Sequence, residues 1–594
     1  MESLIINLIV WCFIAGVLIR IIPDKVKFVK EAIALITTFI LFISGIFLFG
    51  KRGYVPGGWF IYDNLSMIAF LGITIFGLLI TIYSLSYMKN REFKNKYYTY
   101  ILWTLSCGTG AVFSNHLILF AVFWGFLGAT LYLLVNLGGE DASLPAKKTF
   151  IIVGGTDSFL LLGIGILWAL TGTFFIDEIH IMLKTGIAFA AFFCLLSASL
   201  AKAGAMPFHT WIPEISETAP VSVLAFLPAS LDKLLGIYFL ARICLNLFNF
   251  HYGMWFLLRF IGAFTIVAAV MMALVQHNVK KLLSYHAVSQ VGYMVLGIGS
   301  GNPIGIIGGL FHMINNAIYK CALFLGIGAV EEKAKTTELK NLGGIGKLMP
   351  ITFSAFLISS LAISGVPPLN GFFSKWMIYQ GLFEGAKSDP NFSWALWIIA
   401  AMIGSALTLA SFLKVIHSVF LGKKKEYKEE IKEVSFSMVF PPVMLSILCI
   451  IIGFGYRGFV SRFLFRIIPG SYNFTILGSS TILILIALLI GLISFAIVSS
   501  IKVRIVPNFI GGEEVKEEMD MSGTEFYRTI EEMGFFKKVY ELAKNKIFDI
   551  YEIGKGIVFY FGKIFRYLHS GVLLTYLSWI MFGLIVLLFI FMKM

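Results

Sequence analysis

Charged residues are scarce in this chain of 594 residues: only 13% are Asp, Glu, Lys or Arg, whereas 58% are hydrophobic. A soluble protein has about 25% charged residues. The six cysteines include no C-x-x-C pair, which excludes a zinc or iron–sulfur site that this chain builds with its own cysteines. The composition therefore excludes a soluble domain, a disordered chain and a secreted disulfide scaffold.

Long apolar runs take the place of the missing charge, each close to the roughly 20 residues that a helix needs to cross a bilayer. They predict an all-α polytopic membrane protein with sixteen spans, near 4–22, 29–49, 65–87, 97–113, 117–137, 149–171, 186–203, 221–245, 255–276, 282–299, 304–329, 351–386, 394–421, 437–457, 477–501 and 571–592. The first run lacks a basic leader and a clean cleavage site, so we expect a retained span rather than a signal peptide.

Proline and glycine interrupt two of these runs. Pro207 follows the seventh run, and Gly365, Pro367 and Pro368 lie inside the twelfth. Because Pro lacks a backbone donor and Gly loosens a helix, we predict that helices 7 and 12 are broken. Each break lies in the fourth member of a five-span set, spans 4–8 and spans 9–13. Breaks at matching positions are typical of inverted repeats.

These features predict six segments. They are three N-terminal helices, a first inverted repeat, a second inverted repeat, helices 14 and 15, an amphipathic lateral helix and an anchoring helix, at residues 1–96, 97–250, 251–425, 426–505, 506–570 and 571–594. The lateral helix mixes aromatic residues with Lys and Glu. We expect it to lie along the membrane face or against neighbouring subunits, although a small helical hairpin would fit the same composition.

The net charge of +14 resides mostly in loops. Loops after odd-numbered spans carry most of the loop Lys and Arg, which predicts that this side is cytoplasmic and that both chain ends lie outside. No basic stripe interleaved with aromatic residues indicates nucleic acid as a partner. We expect the lipid bilayer, rather than nucleic acid, to surround this chain.

Several ionisable residues fall in or at the edge of apolar runs. They are Asp157, Lys202, Asp232, Lys233, His312, Lys320, Lys375 and Lys414. Each costs several kcal/mol at bilayer depth unless paired or hydrated, so a functional role is the default interpretation.

Lys202 and Lys375 adjoin the predicted breaks, where unpaired backbone groups hold water, and this favours a proton relay. For two other residues, a functional and a purely structural role are both open. Lys414 can equally snorkel to the surface, and Asp157 can face a water path or be a satisfied core carboxylate. No spacing indicates a metal, a nucleotide or a catalytic residue.

The stretch Lys202–Pro213, KAGAMPFHTWIP, and the following Ala219–Ser222, APVS, resemble the seventh-helix signature of the antiporter-like subunits of respiratory complex I. Mrp-type cation/proton antiporters and the membrane arms of group 4 hydrogenases belong to the same family. Further matching stretches cover roughly residues 60–425, and they are Ala273–Gln276, Lys280–Tyr285, Ser289–Tyr293, Phe311–Phe324 and Ser364–Lys375.

The resemblance implies a core of fourteen helices, a lateral helix and no bound cofactor, with Fe–S, flavin, NiFe or quinone only in partner subunits. By position, it implies that Lys202 is the central broken-helix lysine. His312 and Lys320 would form the eleventh-helix relay, and Lys375 would be the terminal lysine.

Three positions depart from the family pattern. Gly125 follows Trp124 where the family carries a glutamate, and Phe226 and Asn316 replace two histidines. Either Asp157 or Asp232 substitutes for the lost glutamate, or the mechanism has changed.

We therefore expect a subunit that translocates protons, or sodium, within a redox-driven complex I-like or hydrogenase-like assembly of a prokaryotic cytoplasmic membrane. Its expected partners are further antiporter-like chains, other membrane subunits and a peripheral redox module. Three alternatives stay open: an Mrp-like antiporter, the membrane subunit of an inorganic-carbon uptake system, and a non-pumping scaffold.

Overall fold

The computed structural model describes residues 2–23, 26, 28–49, 58–250, 252–385, 393–427, 430–468, 489, 490, 493, 527–569 and 571–593. It divides into two units, Met1–Met533 and Gly534–Met594. Twelve helices in the described part are long and apolar enough to cross a membrane. The prediction of an all-α polytopic membrane protein is confirmed, whereas the predicted span 477–501 lies almost wholly outside the described residues.

The first unit is built from long apolar helices joined by short loops. Its helices are α1 (Glu2–Ile21), α2 (Val29–Leu48), α3 (Asn64–Tyr87), α4 (Lys94–Phe113), α5 (Leu117–Val135), α6 (Ser143–Thr171), α7 (Gly186–Ala203), α8 (Trp211–Ile215), α9 (Val221–Phe226), α10 (Asp232–Arg242), α11 (Tyr252–Leu274), α12 (Val279–Gly299), α13 (Pro303–Ala334), α14 (Pro350–Ser364), α15 (Asn370–Gly385), α16 (Ser393–Ile416), α17 (Phe436–Phe454), α18 (Tyr456–Phe459) and α19 (Arg528–Glu532).

Wider π-helical turns extend or join several of these helices, at Leu227–Leu231, Ile243–Leu247, His417–Leu421 and Val460–Leu464. Strands β1 (Ile181–Met182) and β2 (Phe248–Asn249) pair in parallel, with Ile181 opposite Phe248.

Two helices lie at the centre of this unit. From Gly305 to Val330, α13 is buried at every residue except Ile314, and it packs against α12, α14, α15 and α17. The α9–α10 segment is buried throughout Val221–Arg242. A helix that is apolar and buried on all sides must lie inside a bundle. Ionisable residues on these helices are therefore held away from both lipid and bulk water.

Both predicted helix breaks are present. Helix α7 ends at Ala203 and the short α8 begins at Trp211, while α14 ends at Ser364 and α15 begins at Asn370. The peptide bonds Met206–Pro207 and Pro367–Pro368 are both cis. The breaks open the middle of the bundle to backbone groups that have no partner in a regular helix.

The second unit contains helices α20 (Gly534–Lys544), α21 (Ile550–Leu568) and α22 (Leu573–Lys593). The amphipathic segment is not one continuous helix, because Lys546 adopts a left-handed conformation after α20 and the Asp549 side chain caps the first turn of α21. No residue of α22 is buried within the described structure. Residues 506–526 of the predicted lateral segment lie outside the described residues.

Candidate functional site: a buried lysine and histidine relay

The two broken helices end in the same backbone turn. Gly204 has a φ of 78° and Gly365 a φ of 83°, a left-handed conformation that glycine adopts without steric cost. Ala205 N donates to the Leu200 carbonyl at 2.9 Å, and Val366 N donates to the Leu361 carbonyl at 3.0 Å. These are the closing hydrogen bonds of a glycine C-cap. The same glycine-capped helix end therefore occurs twice, 161 residues apart in sequence.

A buried ammonium group lies at each turn. Lys233 Nζ donates to the Ala203 carbonyl at 3.2 Å, and Lys375 Nζ donates to the Ile363 carbonyl at 2.8 Å. Both lysines are at most 2% exposed. The C-terminal end of a helix carries partial negative charge, which stabilises a cation placed there. Each break therefore provides a binding place for a lysine charge inside the bundle.

Lys202, in the last turn of α7, is fully buried, and its Nζ has no hydrogen-bond partner among the described residues. The ammonium lies 5.0 Å from the centroid of the Trp124 ring. A cation over an indole face is stabilised by about 2 kcal/mol or more when it is desolvated. Lys202 is thus held by an aromatic face in a place where a carboxylate would normally be expected.

The position of the missing family glutamate is open. A Cβ added at Gly125 would meet no atom within 4 Å, so space for a side chain remains there. One turn further along α5, a Cβ at Gly128 would lie 3.4 Å from Asp157 Oδ2 of α6. The Asp157 carboxylate therefore reaches the α5 face from which the glutamate is missing.

Two carboxylates are within the electrostatic influence of Lys202, namely Asp157 and Asp232. Asp157 also lies beside the Trp124 ring, and its Oδ1 is buried with no hydrogen-bond partner in the described part of the chain. Asp232 is 1% exposed, and neither of its carboxylate oxygens has a hydrogen-bond partner there. The structure brings both candidate acids near Lys202.

His312 lies in a hydrogen-bonded cluster beside the second break. Its Nδ1 is 2.9 Å from Ser374 Oγ, and its Nε2 is 3.1 Å from Gln290 Oε1. The Tyr319 hydroxyl is 3.3 Å from the same Nε2. The Tyr293 ring connects this cluster to Lys375, because its centroid is 5.4 Å from that of His312 and 4.7 Å from Lys375 Nζ.

Lys320 is buried between three helices. Its Nζ donates to the Leu283 carbonyl of α12 at 2.7 Å and lies 5.7 Å from the Phe412 ring centroid of α16. Asn316, one turn earlier on α13, is fully buried, and its amide atoms have no hydrogen-bond partner among the described residues. Unpaired buried amides mark places that water commonly satisfies.

Several buried polar residues near this relay are not among those expected from the sequence. They are His286, Gln290, Tyr293 and Ser374. The first three follow one face of α12 at helical spacing, which is the signal that could have identified them. His286 is fully buried within α12, which begins at Val279.

Lys414 neither snorkels nor lies free. It is 5% exposed, and its Nζ donates at 2.9 Å to each of the Leu274 and Gln276 carbonyls at the end of α11. The ammonium thus caps that helix.

In the part of the chain that the structure describes, no three His, Cys, Asp or Glu side chains lie close enough together to hold a metal ion. All six cysteines are free.

Comparisons with known proteins agree with this architecture. Residues 114–408 match the family model described as NADH:quinone oxidoreductase/Mrp antiporter, TM. Residues 59–98 match the model described as NADH-Ubiquinone oxidoreductase (complex I), chain 5 N-terminus. The two models together cover more than half of the chain.

Among curated proteins, a Na(+)/H(+) antiporter subunit of Alkalihalophilus pseudofirmus is 30% identical over 419 residues, which are 66% of this chain and 52% of that protein. The chain thus spans about half the length of the curated relatives that it matches.

Two solved structures share the fold at a TM-score of 0.69. A chain of the membrane-bound sulfane sulfur reductase, described as an archaeal respiratory membrane complex, is 22% identical, over 78% of this chain and 96% of that chain. A chain of the Mrp complex from Dietzia sp. DQ12-45-1b is 20% identical, over 77% and 95%. The resemblance inferred from the sequence motifs is confirmed, and the chain belongs to the antiporter-like membrane subunits of the complex I and Mrp antiporter superfamily.

Proposed function

We propose that this chain translocates protons across a prokaryotic cytoplasmic membrane as one subunit of a multi-subunit assembly. The observation that carries the proposal is the placement of Lys202, Lys233, Lys320 and Lys375 inside one helical bundle, each at most 2% exposed. A buried lysine destabilises a membrane protein by several kcal/mol unless it is paired or hydrated, so a set of buried lysines indicates a function. A non-pumping scaffold would gain nothing from keeping four of them.

The proton path runs from the first break to the second. Lys202 and Lys233 form its first half, Lys320 lies at the centre, and His312 and Lys375 form its second half. Each amine passes a proton by alternating between its charged and neutral forms, and the helix-end carbonyls stabilise the charged form. Side-chain amides and water bridge the intervals that are too long for direct transfer.

Asp157 takes the place of the missing fifth-helix glutamate in this proposal. Its carboxylate lies against Gly128, one turn from the open Gly125 position, and the Lys202 charge acts on it. Asp232 is the rival acid, on which the Lys202 charge also acts, but it adjoins Lys233 in the first turn of α10. We therefore assign Asp157 to Lys202, and Asp232 to the electrostatics of the α10 lysine.

A redox-driven assembly of the complex I or hydrogenase kind is the first candidate for the energy source, with a peripheral redox module and further antiporter-like chains as partners. The fold is shared with a chain of an archaeal respiratory complex. Cation/proton antiport is the second candidate, because the curated relative named above is part of a Na(+)/H(+) antiporter. Orientation follows from loop charge, which places the Lys-rich loops in the cytoplasm and both chain ends outside.

Mild-detergent purification of the tagged chain from its own membranes separates these candidates. Co-purifying Fe–S, NiFe or quinone-reducing subunits, together with ion uptake that requires their electron donor, would support the redox-driven assembly. Co-purification of only antiporter-like and small membrane subunits, with Na⁺-driven proton movement in vesicles, would replace it with antiport. A single soluble partner would point to inorganic-carbon uptake, and no ion movement in any of these conditions would contradict the proposed function.

A further inference from the structure

His286 is a buried imidazole that the relay described above does not use. It lies in α12 about 10 Å from the first residue of that helix, at 1.5 Å per residue. Its Nε2 is 2.8 Å from Ser411 Oγ of α16. Its Nδ1 is buried and has no hydrogen-bond partner among the described residues. A dry site of this kind would leave one ring nitrogen without a hydrogen bond, which is unfavourable.

The inner side of His286 faces the centre of the relay. Lys320 Nζ donates to the Leu283 carbonyl, which belongs to the same face of α12 one turn before His286. Phe412 touches both groups, since its ring centroid is 5.7 Å from Lys320 Nζ and 4.9 Å from the centroid of the His286 ring. The Phe412 ring therefore lies beside both the imidazole of His286 and the Lys320 ammonium.

The outer side of His286 leads to the surface. Ser411, its hydrogen-bond partner, is followed one turn later on α16 by Lys414, whose Nζ donates to the Leu274 and Gln276 carbonyls. Gln276 is only partly buried and precedes the exposed His277 in the loop between α11 and α12. His286, Ser411, Lys414 and Gln276 thus form a file of polar groups. This file reaches the end of the bundle that carries the Lys-rich loops.

A further buried polar atom lies along the same face of α16. Ser418 Oγ has no hydrogen-bond partner within the described residues, and it falls one turn beyond Lys414 in the π-helical turn His417–Leu421. The unpaired His286 Nδ1 and the unpaired Asn316 amide mark the middle and the inner end of the file. Polar atoms that are buried without protein partners are commonly satisfied by water.

We propose that His286, Ser411 and Lys414 line a hydrated inlet that carries protons between the Lys-rich face of the second repeat and Lys320. The inlet rests on the proposed function and adds a second entry to the relay, separate from Lys202 and the first break. A proton from water binds one ring nitrogen of His286, and the other nitrogen releases one proton towards the Lys320 amine. The imidazole is neutral again after the transfer, so one proton moves inward for each one taken up.

Hydration of the inlet can be tested without any transport measurement. We would compare Ser411→Cys with Leu413→Cys in the assembled complex, using a charged, membrane-impermeant thiol reagent on vesicles of each orientation. Leu413 is the matched control because it lies two residues away and its side chain is 54% exposed on the apolar outer surface. The six native cysteines are present in both variants and give the same background.

We expect Ser411→Cys to react at least about ten-fold faster than Leu413→Cys, and only from the side of the Lys-rich loops, because a charged reagent enters water and not lipid. Equal rates for the two variants, or reaction of Ser411→Cys from the opposite side, would overturn the inlet. Neither of these results depends on whether the assembly pumps.

Transport then tests the role of the imidazole. His286→Phe should slow proton uptake by about 100-fold, the lower end of the range for loss of a group that transfers protons, whereas Leu413→Ala, on the exposed apolar surface of α16, should keep the wild-type rate. If the wild-type assembly moves protons and His286→Phe does so at the same rate, the role of His286 is wrong while the proposed function stands. If the wild type itself moves no ions, the proposed function fails, and the labelling result still decides whether the inlet is hydrated.

Discussion

The Lys375 side chain folds back across Gly365 and donates from its Nζ to the Ile363 carbonyl at 2.8 Å. A Cβ added at Gly365 would lie 3.2 Å from Lys375 Cδ. The absence of a side chain at Gly365 therefore leaves room for the Lys375 side chain. At the first break a Cβ on Gly204 would collide with Ile212 Cδ1, while Lys233 Nζ would lie 3.9 Å away. Both left-handed glycines therefore end a helix beside a buried lysine, and Gly365 also leaves room for the Lys375 side chain.

This relationship predicts that Gly365→Ala impairs transport more than it impairs folding. An alanine in the left-handed conformation costs about 1–2 kcal/mol, and its methyl group would also displace the Lys375 side chain from the Ile363 carbonyl. We expect a several-fold loss of ion uptake by the purified, reconstituted assembly.

Gly571→Ala is the matched control for that experiment. Gly571 has a φ of 77°, yet a Cβ there would meet no atom within 4 Å among the described residues. It therefore bears the same conformational cost without touching a lysine. Equal transport by the two variants would show that displacement of Lys375 has no effect.

Exchange of the acid between helices tests the assignment of Asp157. We expect Asp157→Asn to lower proton uptake, because it removes a negative charge on which the Lys202 charge acts. The double variant Asp157→Asn with Gly125→Glu should recover much of that loss, since a Cβ at Gly125 would meet no atom within 4 Å and Gly128, one turn along α5, adjoins Asp157. Uptake by each variant is measured in proteoliposomes at equal protein content.

Asp232→Asn discriminates between the two candidate acids. If Asp232→Asn abolishes uptake while Asp157→Asn leaves it unchanged, the substitute acid lies on α10 and our assignment is wrong. Failure of Gly125→Glu to rescue Asp157→Asn would mean that Asp157 supports Lys202 in a way that a fifth-helix carboxylate cannot reproduce.

The ion pair between Arg242 and Asp63 is expected to stabilise the first unit rather than to conduct ions. Arg242 Nη1 lies 2.5 Å from Asp63 Oδ2 and Nη2 lies 2.7 Å from Oδ1, and the Asp63 side chain also caps α3. We predict that Arg242→Gln lowers the free energy of unfolding by about 1.5–3 kcal/mol, as expected for hydrogen bonds to a charged group.

Thermal unfolding of the purified protein measures this change. Lys555→Gln is the comparison, because Lys555 pairs with Glu552 at the surface of α21 and should contribute about 0.5 kcal/mol or less. A midpoint for Arg242→Gln that is indistinguishable from that of Lys555→Gln would contradict the predicted stabilisation.

Much of the fold could be predicted because apolar run length and helix-breaking residues are local signals. The breaks at Pro207 and at Gly365 to Pro368 lie where the sequence pattern predicts them, as α7 ends at Ala203 and α14 at Ser364. The lateral segment was harder to predict, since a mixture of aromatic, Lys and Glu residues does not reveal the left-handed Lys546 between α20 and α21.

The candidate site was only partly predictable. Charge in an apolar run identified Lys233, His312 and Lys375, but only packing shows that Lys414 caps α11 or that His286 meets Ser411. A repeat signal was also present in the sequence. The stretch Leu160–Gly165, LLLGIG, and the stretch Leu323–Gly328, LFLGIG, place Asp157 and Lys320 three residues before corresponding leucines. Only the structure shows which groups these two positions contact.

The most direct test of the relay is proton uptake by the reconstituted assembly that carries Lys375→Ala, measured beside turnover of its energy source. Lys94→Ala is the control, because Lys94 pairs with Glu31 at 2.9 Å and is one-third exposed, outside the buried relay. We predict that Lys375→Ala lowers coupled uptake by at least about ten-fold, while Lys94→Ala stays near the wild-type rate. Wild-type uptake and wild-type turnover in Lys375→Ala would contradict the conduction of protons through the buried lysines.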